Sequence, residues 1–168
     1  MTELKPFLDG ADYVEFKEIA SENSLREFVA GVFGWSPFWV KALFGVRYVL
    51  AKALRLDTAS VPRTGRLRPE DVGFAPGDRI AFFTVRSGDP ERYLVAGADD
   101  SHLTGYLTVE ALPHGFRLGT IVHFHNRVGP AYFALIKPCH HLVIRGMLKA
   151  GAARTAGAGP TRRSTARR

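Results

Sequence analysis

Between Ile121 and His141 the chain places four of its six histidines, its only cysteine and two prolines, Pro138 in a helical pattern. An imidazole titrates near neutral pH and, when neutral, ligates metals well. The stretch IVHFHNRVGPAYFALIKPCHH therefore raises three chemistries: metal binding, proton transfer, and hydrogen bonding to a ligand. Which applies depends on where the rings point, and that is set by the two strand-like runs around them, HLTGYLTVEAL (102–112) and FRLGTIVHFHNRV (116–128).

If Pro113 and His114 form a two-residue turn, paired residues have numbers that sum to 227. Leu103, Leu107, Val109, Leu118, Val122 and Phe124 then share one face. The other face pairs His102 with His125, Thr104 with His123, and Glu110 with Arg117 as a cross-strand charge pair. Residues two apart on a strand are separated by about 6.6–6.8 Å and opposite residues by about 4.5–5.5 Å, so His102, His123 and His125 form a polar cluster on one sheet face. A three-histidine metal site is geometrically possible there, but no Asp, Glu or Cys at ligand spacing completes it. The expectation is no metal and no cofactor, with a polar outer face hydrogen-bonded in the ordinary way.

The next segment, from about Pro130 to Lys149, carries Tyr132, Leu135, Ile136, Cys139, Val143, Gly146 and Met147 at helical spacing. Pro138 inside it should kink or interrupt the helix. On this wheel His140 lies beside the apolar stripe and His141 turns to solvent with Lys137 and Arg145. A partly buried His140 needs partners for its ring nitrogens and is a candidate acid–base or ligand-binding group.

The remaining elements must carry this unit. DYVEFKE alternates Tyr13, Glu15 and Lys17 against Val14 and Phe16, a short half-buried strand. Ser24 and Glu27 make a capping box for a helix that Gly34 ends. A second helix starts with Ser36 as N-cap and Pro37 in its first turn, and runs through Trp39, Leu43, Val46, Leu50 and Ala53. A loop rich in Pro and Gly reaches about Asp78. RIAFFTVR (79–86) and RYLVAGA (92–98) precede the two histidine strands, with turns short enough for an antiparallel meander. The fold class expected is α+β, a curved antiparallel sheet with two short helices and a long C-terminal helix packed across it.

Composition sets the scale. A chain of 168 residues with 46% hydrophobic content is one domain able to bury a core without disulfides. One cysteine fits a reducing compartment, and the opening residues MTELKPFLDGADY lack an apolar core for export, so a soluble cytoplasmic protein is expected. The net charge of +7 is mostly the five arginines after Lys149, leaving residues 1–149 at +2. That divides the chain into a folded domain, 1–149, and a disordered basic tail, 150–168. Phosphate contact by the tail would be nonspecific, and no specific nucleic-acid partner is expected. From Ser36 to Leu56 there are four basic residues and no acid, with Lys41, Lys52 and Arg55 on one side. Such a face can meet a membrane surface, but a solvated face over a packed stripe is the simpler expectation. Oligomeric state is not legible.

DDSHL (99–103), TIVHFHNRVG (120–129), AYF (131–133) and KPCHHLVIRGML (137–148) together resemble the bacterial domain-of-unknown-function family numbered 2867. The order of elements resembles the helix-grip folds of the START and birch-allergen superfamily (SRPBCC). The resemblance runs from about Phe33 to Lys149. It places His102, His123, Asn126, Tyr132, Pro138 and His140 on favoured positions. Thr104 stands where an acid is common and Cys139 where an aromatic is usual, which implies more room under the helix. Relatives joined to a nicotinamide-binding domain exist, but no Gly-rich fingerprint follows a strand here. The resemblance implies a cavity between sheet and helix for an apolar or amphipathic small molecule. Thr120, Asn126, Tyr132, Ile136, Cys139 and His140 are the expected ligand-binding residues. The alternative is an enzyme of cyclase, dehydratase or hydrolase type with His140 as acid–base in the same cavity.

Overall fold

A computed structural model describes residues 3–42, 45 and 67–153. Six antiparallel strands form one sheet in the order β1-β6-β5-β4-β3-β2. The strands are β1 (Tyr13–Ala20), β2 (Arg79–Ile80), β3 (Phe83–Asp89), β4 (Tyr93–Asp99), β5 (Leu103–Leu112) and β6 (Gly115–Phe124). Helix α1 (Lys5–Leu8) precedes β1, and α2 (Leu25–Gly34) follows it. Residues 38–42 are helical and are labelled α3 here, and α4 (Val128–Ala152) closes the chain across the curved sheet. This is an α+β arrangement of helix-grip type. The rest of the expected second helix, with Lys52 and Arg55, most of the Pro/Gly loop, and residues 154–168 of the tail expected from 150 on lie outside the described residues, whereas residues 150–152 belong to α4.

The last hairpin has the register its hydrophobic pattern requires, from Leu103 opposite Phe124 to Leu112 opposite Gly115. A one-residue slip would have moved every apolar side chain to the wrong face. Leu107, Val109, Phe116 and Leu118 join Phe28, Val29, Val32, Ile144 and Met147 in the main core. Phe28 and Phe116 stack at 4.2 Å between ring centres. Each such buried side chain contributes about 1.5–3 kcal/mol over exposure. A smaller core beneath the first half of α4 holds Leu103, Val122, Tyr132 and Phe133.

Helix α2 begins as its sequence dictates. The Ser24 and Glu27 side chains each reach the other's backbone, completing the capping box. Helices α2 and α4 cross closely because glycines stand at the contact. A Cβ on Gly31 would lie 2.6 Å from the Ala150 carbonyl oxygen, and one on Gly146 would enter the Trp35 ring. Asn23 Nδ2 donates to the carbonyls of Gly151 (2.8 Å) and Ala153 (3.1 Å), satisfying the last turn of α4.

Several expectations are corrected. Residues 79–86 are two strands, because Ala81 adopts φ 55° and the chain turns back on itself between Ile80 and Phe83. Helix α1 was not foreseen; it is too short to show a periodicity. The carbonyl of Pro37 accepts the first bonds of α3, from Val40 and Lys41, so Ser36 is not the N-cap. Helix α4 continues through Pro138 without interruption. The missing N–H frees the carbonyl of exposed Ala134, where water can take it. The buried face of α4 is rotated from the expected stripe: Tyr132, Phe133, Ile144, Met147 and Leu148 are inside, and Leu135 is 64% exposed.

Candidate functional site

Strand β1 decides the site. Its partner is β6, with Tyr13 opposite Val122, Glu15 opposite Thr120 and Lys17 opposite Leu118. Because Val122 and Leu118 belong to the face beneath α4, the Tyr13, Glu15 and Lys17 side chains belong to that face too. Val14, on the other side, is 41% exposed. The polar alternate of β1 has thus turned inward, and the result is a polar layer between the two apolar cores.

On β6, Thr120, buried, separates Leu118 of the main core from Val122 of the smaller one. On α4, His140 separates Phe133 from Ile144. Glu15 is the hub. Its Oε2 accepts from Tyr13 Oη (3.1 Å) and lies 3.1 Å from His141 Nδ1, while Lys17 Nζ bonds to Oε1. Lys137 lays its ammonium 4.8 Å from the centre of the Tyr13 ring.

The electrostatics follow from this geometry. Burial works to raise the Glu15 pKa, but the hydrogen bonds from Lys17 and Tyr13 and the charges of Lys17 and His141 outweigh it, and the carboxyl is held below its ordinary value. Tyr13 is pushed up to about 12 by burial, reinforced by its hydrogen bond to Glu15 and that carboxylate's charge. His140 is pushed down to about 4, chiefly by burial; Glu15 pulls the other way, and His141 and Lys17 add to the lowering. Its Nε2 is buried without a hydrogen-bond partner. At neutral pH the site therefore holds a neutral imidazole, an ionised carboxylate and a protonated phenol. It can donate or accept hydrogen bonds at several points and bind a polar group beside apolar surface.

The expected ligand residues divide. Thr120, Tyr132 and His140 lie on the face between sheet and helix, and half-buried Ile136 packs against the smaller core. Cys139 is a half-buried free thiol. Asn126 is exposed instead; it donates to the Ser101 carbonyl (3.3 Å) and accepts from Val128 N (3.0 Å), which pins the turn into α4. His141, expected in solvent, turns to Glu15, because the sequence did not reveal which way β1 faces. An open cleft of about 910 Å³ lies elsewhere, bordered by the β1–α2 connection and the β5–β6 turn, and includes none of these residues.

The three-histidine cluster does not assemble. Strand pairing ends at Leu103 and Phe124, so alternation lapses at His102. Its buried ring meets Tyr132 of α4 edge-on at 4.5 Å, on the helix side. His123 and His125 remain on the outer face. His123 Nε2 lies 2.8 Å from the Phe7 carbonyl oxygen, and the Phe7 ring of α1 meets Tyr106 edge-on. His125 Nε2 lies 3.1 Å from Thr104 Oγ1, and Thr104 donates to Asp99 Oδ1 (2.9 Å). A single hydroxyl proton can satisfy both contacts only if His125 is the donor to Thr104. Asp99 lies opposite Thr104 across β4 and β5 and is also paired with Arg86. Among the described residues no group of three or more His, Cys, Asp or Glu could hold a metal ion.

Sequence reasoning missed Tyr13, Glu15, Lys17 and Asp99. For the three on β1 the only signal was the strict alternation of that strand, which separates its two sides without saying which is buried, and for Asp99 it was the stretch DDSHL at 99–103. A family model described as protein of unknown function (DUF2867) matches residues 7–147. No curated protein matches the chain.

Proposed function

We propose, for a chain that belongs to the DUF2867 family of proteins of unknown function, that it is a small-molecule binding module whose site is the polar layer under α4. The observation that carries this reading is the row of inward-facing polar groups on β1 beside a His140 Nε2 that is buried and unpaired. A buried polar atom without a partner costs about 1–3 kcal/mol, and a ligand that hydrogen-bonds to it would recover that cost. The ligand is amphipathic: its polar end meets His140, Glu15 and Lys17, and its apolar end lies against the smaller core, whose half-buried members Tyr13, Phe124 and Ile136 yield to admit it. Kinship with the START and birch-allergen superfamily is part of this proposal and rests on the order of elements. A cytoplasmic setting fits the single thiol.

The second reading is an enzyme of cyclase, dehydratase or hydrolase type with His140 as acid–base. An imidazole with a pKa of about 4 is protonated in about one molecule in a thousand at pH 7, so it serves better as a hydrogen-bond acceptor than as an acid. This ranks binding first. Thermal melts with a library of fatty acids, polyketides and aromatic acids test it. A rise in melting temperature with a library member, weakened in His140→Leu and Glu15→Gln, is expected. If no member shifts the melt, the binding reading fails. Turnover of any substrate that survives His140→Ala would end the catalytic one.

A further inference from the structure

The outer face of α4 has no role in the site just described. Every exposed residue from 128 to 142 is apolar, and among them the large side chains Leu135, Leu142 and Val128 are 64%, 60% and 40% exposed. At 3.6 residues per turn, Val128, Ala131, Leu135, Pro138 and Leu142 fall on one arc of the helix, a strip about 21 Å long. Most isolated exposed apolar residues need no account, but a continuous strip of this kind marks a surface that meets something. Its ends are basic: exposed Arg127 precedes it, and exposed Arg145 and Lys149 continue the same arc.

The charge around the strip selects the partner. All sixteen acids of the chain lie at or before Glu110. From Arg127 to the last residue there are nine Lys and Arg and no acid. A second copy pairing through this strip would bring Arg127 against Arg145 and Lys149, or each against its like, with no acid on α4 to offset them. A nucleic acid would answer the charge but leave Leu135 and Leu142 without apolar contact. A surface that is negative outside and apolar just beneath satisfies both features, and that is the chemistry of an anionic lipid bilayer. Phe38 on α3, 84% exposed, is a further large apolar side chain at the surface. Among the described residues no helix is long and apolar enough to cross a membrane, so the contact is one of lying on the surface.

We propose that the exposed strip of α4, with Arg127, Arg145 and Lys149 at its ends, docks the folded domain on anionic lipid surfaces. Flotation of the full chain with vesicles of phosphatidylcholine and phosphatidylglycerol, against phosphatidylcholine alone, tests this directly. Binding to the anionic vesicles only, weakened by salt, is expected. The double variant Leu135→Glu, Leu142→Glu should lose about tenfold or more in affinity, since two leucines no longer enter the apolar layer. Both side chains are exposed, so its melt should match the wild type; if it does not, Arg145→Glu with Lys149→Glu tests the same strip and should show a comparable loss. A chain ending at residue 153 should still bind. The proposal is overturned if the full chain does not float with anionic vesicles, or if truncation at 153 abolishes binding while the leucine variant binds normally. It is also overturned if the leucine variant only dissolves a dimer, or if duplex DNA binds and both leucine changes leave lipid binding intact.

Discussion

His140 shows how one buried nitrogen couples the fold to pH. Its pKa in the folded protein, about 4, lies below the ordinary 6.5. The unfolded chain therefore binds more protons between these values, and stability rises with pH through that window. The contribution is complete above about pH 6.5 and is lost as pH falls toward 4. At about 1.36 kcal/mol per pH unit, the loss is on the order of 2 kcal/mol once partial exposure is allowed for. Urea unfolding at pH 7 and pH 4.5 should show this loss in the wild type and a clearly smaller one in His140→Leu. Glu15, whose folded pKa is lowered, adds a dependence of the same direction at more acid pH, and it persists in that variant. Equal losses in the two proteins would mean that His140 is not desolvated in the way its position implies. Glu15→Gln removes the negative charge, and one of the two acceptor oxygens, that Tyr13, Lys17 and His141 share. It should cost about 1–2 kcal/mol by chemical denaturation and bring the Tyr13 pKa down from about 12, read by ultraviolet titration of tyrosinate.

At the scale of elements, the crossing of α2 and α4 depends on having no side chain at Gly31. A methyl group there meets backbone, which no rotamer change can move aside. Gly31→Ala should therefore destabilise by about 1–3 kcal/mol, although alanine ordinarily favours a helix over glycine. A gain in denaturation midpoint would show that the two helices can separate freely. Ser24→Ala, which removes one half of the capping box, should cost about 1 kcal/mol by the same measurement. The capping box and the hairpin register were both readable in the sequence, because each rests on residues close along the chain. Strand β2 was not, since Ala81 at positive φ is a turn that carries no glycine to announce it.

For the molecule as a whole, charge and fold are separable. Residues 154–168 carry five arginines and no large apolar side chain, and Asn23 caps α4 at Gly151 and Ala153 before they begin. Deleting them should leave the melting temperature unchanged while lowering the net charge from +7 to +2. A fall in melting temperature would show that the tail packs on the domain.

Alternation and local spacing by themselves determined the meander, the register of β5 with β6, the placement of Leu107, Val109, Leu118 and Val122 beneath α4, and the nearness of His140 to the core. These follow from short-range periodicity, where one residue's side fixes that of its neighbours. Tertiary structure alone decided that Tyr13, Glu15 and Lys17 face inward, that His102 leaves the other histidines for Tyr132, that His141 finds Glu15, and that Leu135 and Leu142 face out. The reason is that β1 joins β6 across about a hundred intervening residues. Hydrophobicity would have buried Val14 rather than a glutamate, and only the sharing of that carboxylate among Tyr13, Lys17 and His141 makes its burial tolerable.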